Sequence, residues 1–261
     1  MEPENLNQPM AREHLLLGHP VALWILDYGL FRVNANRRVI GICGFLIRTS
    51  AGEQLLVDTG FPAKYVRDAV AATAEDGLEV FGTVLHCGPE NLPAAQLKLA
   101  GTSLDQIDLM IQTHTHIDHV GGLDACPQAP IVMARAERRL PKPLYWGAAQ
   151  PMDWPARDYV LIETDTEIAP GLQILLVPGH TPGQLAVLLR LPETGSVLLT
   201  SDAISRPEEM AGGFAGAWDA SLAHANGERL MTLATQQDAV VIYGHCPTQW
   251  PVLKKSPLRF S

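Results

Sequence analysis

The chain has little positive charge and no long apolar segment. Lysine and arginine total 19 against 28 aspartate and glutamate residues, and the formal net charge is −9. Proteins that bind nucleic acid usually present a basic face that displaces counterions from the phosphates, so we expect no nucleic-acid partner. No apolar run approaches the roughly 20 residues that a membrane-spanning helix needs, so no membrane partner is expected either.

Paired cysteines and a secretory leader are also missing. The first 20 residues are polar and acidic, whereas a secretory signal has a basic start and an apolar centre. No C-x-x-C pair occurs among the four cysteines, which are Cys43, Cys87, Cys126 and Cys246. We therefore expect reduced thiols and a cytoplasmic protein.

The length and the pattern of apolar residues predict one domain over residues 1–261. A chain of 261 residues lies near the upper limit for a single hydrophobic core. Strand-like runs open the chain, and helical patterns follow at residues 63–76 and 91–101, the second with Asn91 as its N-cap. The second half repeats strands and adds a helix near residues 219–237. We expect two β-rich halves, each backed by helices, around one interior.

The segment of residues 138–157 is the least regular part of the sequence. Its prolines argue against a regular helix, and Trp146 and Trp154 place large apolar surfaces on a loop. One interpretation is a surface loop that its aromatic side chains hold against the core. The alternative is a loop that caps a substrate.

Four apolar runs each end in a residue that can bind a metal ion. These residues are His114, His180, Asp202 and His245. Crevices at strand ends are common places for sites in folds that combine strands and helices. A histidine or aspartate gains little at a strand end without a partner, so the repetition of this pattern indicates a shared site.

The stretch "IQTHTHIDHVGG", residues 111–122, concentrates the same chemistry. His114 and His116 alternate as on an extended segment and so project the same way, while Asp118 and His119 begin the next turn. Three imidazoles and a carboxylate this close would compete for protons unless they bound a cation. A solvated polar loop is the alternative.

Together the two patterns supply more ligands than one ion can use. Five histidines and two aspartates, with no thiolate, suit two divalent ions better than one tetrahedral structural zinc. Two ions about 3.5 to 4 Å apart that share a carboxylate can hold a hydroxide as a nucleophile at neutral pH. Zinc is our first choice, with manganese, iron or cobalt as alternatives, and hydrolysis is the expected reaction.

At these residues the sequence resembles the metallo-β-lactamase superfamily. "HTHIDH" fits the H-x-H-x-D-H motif, and "PGHTPG", "TSDA" and "YGH" follow in the family's order. The resemblance implies an α+β fold, the αββα sandwich, in which two mixed sheets lie face to face with helices outside and metals at one edge.

The resemblance also implies a role for each ligand. His114, His116 and His180 would hold one metal ion, while Asp118, His119 and His245 would hold the other, and Asp202 would bridge them. Asp58 in "VDTG" stands where the family often has a carboxylate that orients a ligand histidine, although a turn-capping aspartate is an equally good interpretation.

Within the superfamily the order of motifs is most similar to that of the N-acyl homoserine lactonases, which include hydrolases of other small lactones. Those enzymes have a tyrosine three residues after the bridging aspartate, where its hydroxyl can donate to the substrate carbonyl. This chain has Ser205 there, a candidate catalytic residue whose shorter hydroxyl could make the same contact only with a closer substrate or through a water molecule. The candidate residues of an apolar substrate pocket are Trp146, Trp154, Met210, Phe214 and Trp218, and ordinary packing is the alternative for the last three.

The resemblance leads to one main hypothesis and two rivals. The main hypothesis is the opening of a small cyclic ester by a metal-bridging hydroxide, with Asp118 carrying a proton to the departing alkoxide. The first rival is hydrolysis of another carbonyl substrate, such as a thioester of the glyoxalase II type, a β-lactam, or another ester or amide. The second is a metal-holding ligand sensor without turnover. Large aromatic residues on loops leave a homodimer open as the oligomeric state.

Overall fold

The computed structural model describes residues 14–261. The expectation that no secretory signal is present rests largely on residues 1–13, which lie outside the described residues. The strands are β1 (Pro20–Val33), β2 (Val39–Thr49), β3 (Gln54–Val57), β4 (Gly82–His86), β5 (Leu109–Ile111), β6 (Ile131–Ala134), β7 (Tyr159–Ile162), β8 (Thr166–Ala169), β9 (Leu172–Leu176), β10 (Leu185–Leu191), β11 (Gly195–Ser201) and β12 (Val240–Tyr243). The helices are α1 (Lys64–Arg67), α2 (Ala69–Asp76), α3 (Pro93–Leu99), α4 (Arg135–Arg138), α5 (Glu209–Gly212) and α6 (Ala220–Gln236).

The strands of the described residues form two mixed sheets. The first has the order β4-β1-β2-β3-β5-β6-β7, antiparallel from β4 to β3 and parallel from β3 to β7. The second has the order β12-β11-β10-β9-β8, in which β11 and β12 are parallel and the other pairs antiparallel. Helices flank both sheets, so the predicted αββα sandwich is confirmed.

Three apolar clusters divide the molecule into layers. The cluster between the sheets combines side chains of the first sheet, such as Ile47, with side chains of the second, such as Val187. A second cluster includes Leu97 of α3 on the outer face of the first sheet, and a third includes Leu230 of α6 on the outer face of the second. Because the central layer draws on both halves of the sequence, burial of apolar surface holds the halves together.

Two of the predicted helices differ from the expectation at their ends. The pattern at residues 63–76 is interrupted at Asp68, whose backbone is extended (φ −157°) and whose carboxylate accepts a hydrogen bond from the N–H of Ala71. The prediction of Asn91 as an N-cap is wrong. Its Oδ1 instead accepts from the N–H of Gly88, and α3 begins only at Pro93. A short polar side chain can satisfy a turn as well as a helix end, so the sequence alone did not separate these roles.

The topology brings several strand ends to one edge. β3 and β5 are parallel neighbours, so the residues that follow them, Asp58 and the segment up to His114, leave the sheet side by side. β11 and β12 are also parallel, and they lead into Asp202 and His245. None of the helices within residues 14–261 has the length and apolar character that crossing a membrane would require.

Candidate metal centre and substrate cavity

The structure brings the seven predicted metal ligands together. Within each group the potential ligand atoms all lie within 4.8 Å of one another. The groups are His114, His116 and His180; Asp118, His119 and His245; and His114, His119 and Asp202. The first two match the division that the sequence resemblance implies, and the third connects them.

The carboxylate of Asp202 lies between the two groups of ligands. Its Oδ2 atom faces the first group, 3.4 Å from His180 Nε2 and 4.0 Å from His114 Nε2. Its Oδ1 atom faces the second, 3.0 Å from His245 Nε2 and 3.5 Å from His119 Nε2. This is the placement that a carboxylate shared by two cations requires.

The remaining contacts are similarly close. Nδ1 of His116 lies 2.9 Å from Nε2 of His180, and Oδ2 of Asp118 lies 3.4 Å from Nε2 of His245. Asp118 is the more accessible carboxylate, with 17% of its side chain exposed against 9% for Asp202. Asp118 is therefore the carboxylate of the cluster that is more open to the cavity.

The cluster contains buried polar atoms that a cation would satisfy. Nε2 of His114 and Nε2 of His119 are buried, and neither has a hydrogen-bond partner within the described residues. Buried polar atoms are normally paired, because leaving them unpaired costs free energy. Imidazole and carboxylate groups are ligands of divalent transition metals, so the residues fit such ions.

Electrostatics divides the histidines into two kinds. Burial, followed by the neighbouring imidazoles, lowers the pKa of His114, and burial with His180 lowers the pKa of His116 to about 3. Burial also opposes charge on His245, but Asp202 and Asp118 outweigh it and raise its pKa to about 9. The same balance raises the pKa of His119. The imidazoles of the first group are thus neutral. In the second group a metal ion would compete with protons for the nitrogen atoms of His119 and His245.

Asp58 contacts His119 of the second group on the side of the ring that faces away from the cluster. Its Oδ2 lies 2.8 Å from Nδ1 of His119, which leaves Nε2 of that ring facing the cluster. Its Oδ1 accepts from the backbone N–H of Thr113 at 2.9 Å and from Nε2 of Gln112 at 3.1 Å. Asp58 itself has a left-handed backbone (φ 55°), a conformation that costs energy away from glycine and is found at functional sites.

His245 is held by backbone groups. Its Nδ1 lies 2.9 Å from the carbonyl oxygen of Gly41, which can only accept, so Nδ1 carries a proton and Nε2 is the nitrogen that faces Asp202. The residue before it must be glycine, because a Cβ on Gly244 would collide with the Ser201 carbonyl and the Asp202 carboxylate.

Glu137 is a supporting residue that the sequence analysis missed. It is fully buried and lies in α4, the short helix that directly follows β6. Its Oε1 accepts from the backbone N–H of Thr115 at 2.8 Å and from the Thr115 hydroxyl at 2.7 Å, and its Oε2 accepts from the N–H of Gly183 at 3.1 Å. Thr115 separates His114 from His116, and Gly183 closes the loop that carries His180. Glu137 therefore connects the two segments that supply the three-histidine group.

A cavity of about 720 Å³ opens onto the cluster. His116, Asp118, His180, Asp202 and His245 lie in its wall. Much of the remaining wall is apolar, including Phe31, Val33, Ile40, Phe61, Leu78 and Phe81. The cavity has the size and apolar character typical of small-molecule sites.

Comparison with known proteins decides the family. The sequence model of the metallo-beta-lactamase superfamily matches residues 44–245 of this chain. The chain belongs to the metallo-β-lactamase superfamily. It is similar to an N-acyl homoserine lactonase from a Bacillus species, with 33% identity over 210 residues that cover 77% of this chain and 79% of that protein. The family that the sequence motifs indicated is confirmed, and the chain is a metal-dependent hydrolase related to these lactonases.

Solved structures show the same relationship. One is a variant of the Bacillus thuringiensis lactonase AiiA with N-decanoyl-L-homoserine bound at its active site. Its superposition on this chain has a TM-score of 0.80 and 26% sequence identity, and it covers 93% of this chain and 100% of the AiiA chain. An N-acyl homoserine lactone hydrolase with its product N-hexanoyl-L-homoserine at the catalytic metal centre gives the same TM-score, identity and coverage.

In this metallo-β-lactamase chain, the hydrogen bonds of Ser205 within residues 14–261 are made by its backbone N–H and carbonyl groups. Its N–H donates to Oε2 of Glu209 at 2.8 Å, and its carbonyl accepts from the N–H of His245 at 2.8 Å. Ser205 also lies in the cavity wall. It thus stabilises the segment of a ligand histidine.

The structure separates the five predicted pocket residues. Trp146 and Phe214 line the cavity together with members of the histidine and aspartate cluster. The other three are not in its wall. Trp154 donates from Nε1 to the carbonyl of Leu140, Met210 packs in the outer cluster around α6, and Trp218 is 62% exposed.

The segment of residues 138–157 borders the cavity at one end and packs away from it at the other, and a role as a substrate cap stays a prediction. Leu144, Trp146 and Gly147 border the cavity, and the ring of Trp146 lies 4.9 Å from that of Phe81. Its other end is held away from the cavity, where Trp154 contacts the guanidinium of Arg138.

Proposed function

We propose that the chain is a hydrolase with two divalent metal ions, zinc as first choice, that opens small lactones such as N-acyl homoserine lactones or related cyclic esters. The position of Asp202 between two groups of ligands, at the wall of a largely apolar cavity, carries this proposal. The similar proteins support the substrate class, because they are named lactonases and one holds a ring-opened product at its metal centre. Their substrates share an acyl chain that apolar walls suit.

Divalent ions held by the cluster supply Lewis-acid activation of water and of the substrate carbonyl. The side chains of the chain supply the rest. Asp118 borders the cavity and is the candidate to pass a proton to the departing alkoxide. Asp58 and Glu137 keep the ligand segments in place, and Phe61 and Trp146 offer apolar contacts to an acyl chain while keeping water away.

Ser205 does not replace the lactonase tyrosine as a donor from the same distance, since a serine hydroxyl is shorter than a phenol. A donor aimed at a developing oxyanion is typically worth roughly 10² to 10³ in rate. We therefore expect the chain to depend more heavily than a tyrosine-containing lactonase on the metal ions for polarising the carbonyl.

The thioester alternative would need cations that recognise a glutathione-type carboxylate. The basic segment "RRLPK", residues 138–142, is a candidate source of such cations. Arg138 stacks on Trp154 and Tyr159, and Nζ of Lys142 pairs with Asp153 at 3.0 Å. Neither lies in the cavity wall, so this segment does not favour the thioester.

A substrate panel tests the proposal. Metal-loaded protein is assayed with N-acyl homoserine lactones of several chain lengths, simple lactones, a glutathione thioester and a chromogenic β-lactam. We expect the highest kcat/KM among the lactones. Preference for the thioester or the β-lactam would replace the proposed substrate class, and turnover of no carbonyl compound with two ions bound would favour a ligand sensor.

A further inference from the structure

Arg38 lies in the cavity wall, and within residues 14–261 its side chain has no hydrogen-bond or ion-pair partner. It follows the turn between β1 and β2, where its carbonyl accepts from the N–H of Val33 and its own N–H donates to Oδ1 of Asn36. The turn therefore fixes the backbone of Arg38. The guanidinium has no hydrogen bond or ion pair with any residue in 14–261, and its Nε is buried.

The other arginine of the cavity wall is in a different state. Nη1 of Arg206 lies 3.1 Å from Oε1 of Glu209, and its Nε lies 3.7 Å from Oε2 of Glu208. The charge of Arg206 is thus matched by neighbouring carboxylates. Burial, and then repulsion from Arg206, lowers the pKa of Arg38, while Glu209 and Asp202 act in the opposite direction.

The wall of the cavity offers Arg38 few acceptors. Its carboxylates are Asp118 and Asp202 in the metal cluster and Glu209, which already accepts from Ser205 and Arg206. Side chains such as Phe31 and Ile40 are apolar. A cation that is partly removed from water and has no partner gains free energy when an oxygen atom of a ligand approaches it.

We propose that Arg38 is a specificity-determining residue that binds an acceptor oxygen, a carbonyl or a carboxylate, on the side chain of the substrate. The inference rests on the proposed function, since it assigns a recognition group to the substrate of that same cavity. The scissile ester lies at the metal cluster, and the guanidinium contacts a second oxygen of the same molecule. Substrates without that oxygen leave the guanidinium unpaired and bind less well.

The test compares pairs of lactones that differ only in the side-chain oxygen. One pair is an N-acylamino lactone and an alkyl lactone of equal length, and another pair differs in a terminal carboxylate. The variants are Arg38→Met and, as a matched control, Arg37→Met, which replaces an exposed neighbour outside the cavity wall. For each pair, the ratio is the kcat/KM of the lactone with the side-chain oxygen divided by that of the lactone without it. We expect Arg38→Met to reduce this ratio about ten-fold for at least one pair, the size typical of losing a charge-assisted hydrogen bond.

Arg37→Met should leave each ratio unchanged, and Arg38→Lys should restore part of it because the charge is kept while the planar fork is lost. The pair with the larger loss identifies the oxygen as amide carbonyl or carboxylate. Unchanged ratios in Arg38→Met, or equal losses in both methionine variants, would overturn the inference. Calorimetric binding of the ring-opened acids reads the same contact without turnover, so failure of lactone hydrolysis and failure of the Arg38 contact give different results.

Discussion

Asp202 is the residue that lies between the two groups of potential metal ligands. Its two oxygens face different groups of histidines, with separations of 3.0 to 4.0 Å. Burial would raise its pKa, but His245 and His119 outweigh burial and lower the pKa well below its usual range. The carboxylate is therefore ionised at neutral pH and available to cations on both sides.

Asp202→Asn should lower the metal content from two ions per chain to one or fewer. An amide carries no negative charge, and one of its two terminal atoms is a donor, so it cannot join two cations. Metal analysis after gel filtration measures the effect, and Asp124→Asn, an exposed site nearby, is the control. Two ions retained by Asp202→Asn would contradict the bridging role.

Binding of a divalent metal at pH 7 should release at least one proton per chain. Without metal, His245 has a pKa of about 9, so it is protonated at pH 7, and Nε2 must lose its proton to bind the ion. Apparent affinity should therefore rise with pH up to about 9 and fall as the pH is lowered. Calorimetry in buffers of different ionisation enthalpy counts the protons, and an absence of release would contradict the assigned ligand.

The ligands and the supporting residues differ in how far they could be predicted. The spacing of His114, His116, Asp118 and His119 is local, so the sequence indicates them directly. Asp58 was predicted with two alternative roles, and in the structure it contacts both His119 and the backbone N–H of Thr113. The role proposed for Arg38 could not be predicted, because it rests on the side chain having no hydrogen-bond or ion-pair partner among residues 14–261 of the folded chain.

At the level of elements, strand ends and short connections supply the residues of the candidate metal centre. β5, β9, β11 and β12 each end shortly before a predicted ligand, so the apolar runs predicted the strands correctly. The helix α4 adds Glu137, which lies 22 residues beyond Thr115 in the sequence and contacts it directly. No local pattern sets this glutamate apart, and only the packing of α4 against the ligand segments gives it a role.

Glu137→Gln should weaken metal binding in the three-histidine group more than in the other. The amide replaces one accepting oxygen by a donor that faces an N–H or a hydroxyl, so one of the two segments loses its support. Losing such support typically costs about 10- to 100-fold in metal affinity. Competition with a chelator should show one weakened site and one near-normal site.

Glu163→Gln is the matched control, since this exposed carboxylate pairs with Arg135 at the surface. Equal weakening of both sites in Glu137→Gln would indicate general destabilisation and contradict the assignment. Wild-type affinity at both sites would do the same.

At the scale of the whole molecule, the layer between the two sheets unites both halves of the sequence. We propose on this basis that the chain forms a single domain. The αββα architecture could be predicted because motif order and strand patterning agree with one family. The starts of α2 and α3 could not, since Asp68 and Asn91 take part in local hydrogen bonds that the sequence pattern did not identify. A cytoplasmic location and a homodimer stay predictions.

The most direct test of the account is the rate of lactone opening measured while divalent metal is added stepwise to metal-free protein. The rate should be near zero without metal and should reach its plateau at two ions per chain, because both groups of ligands act on the same substrate. A plateau at one ion, a rate independent of metal, or no lactone opening at any loading would contradict the proposed two-metal lactonase.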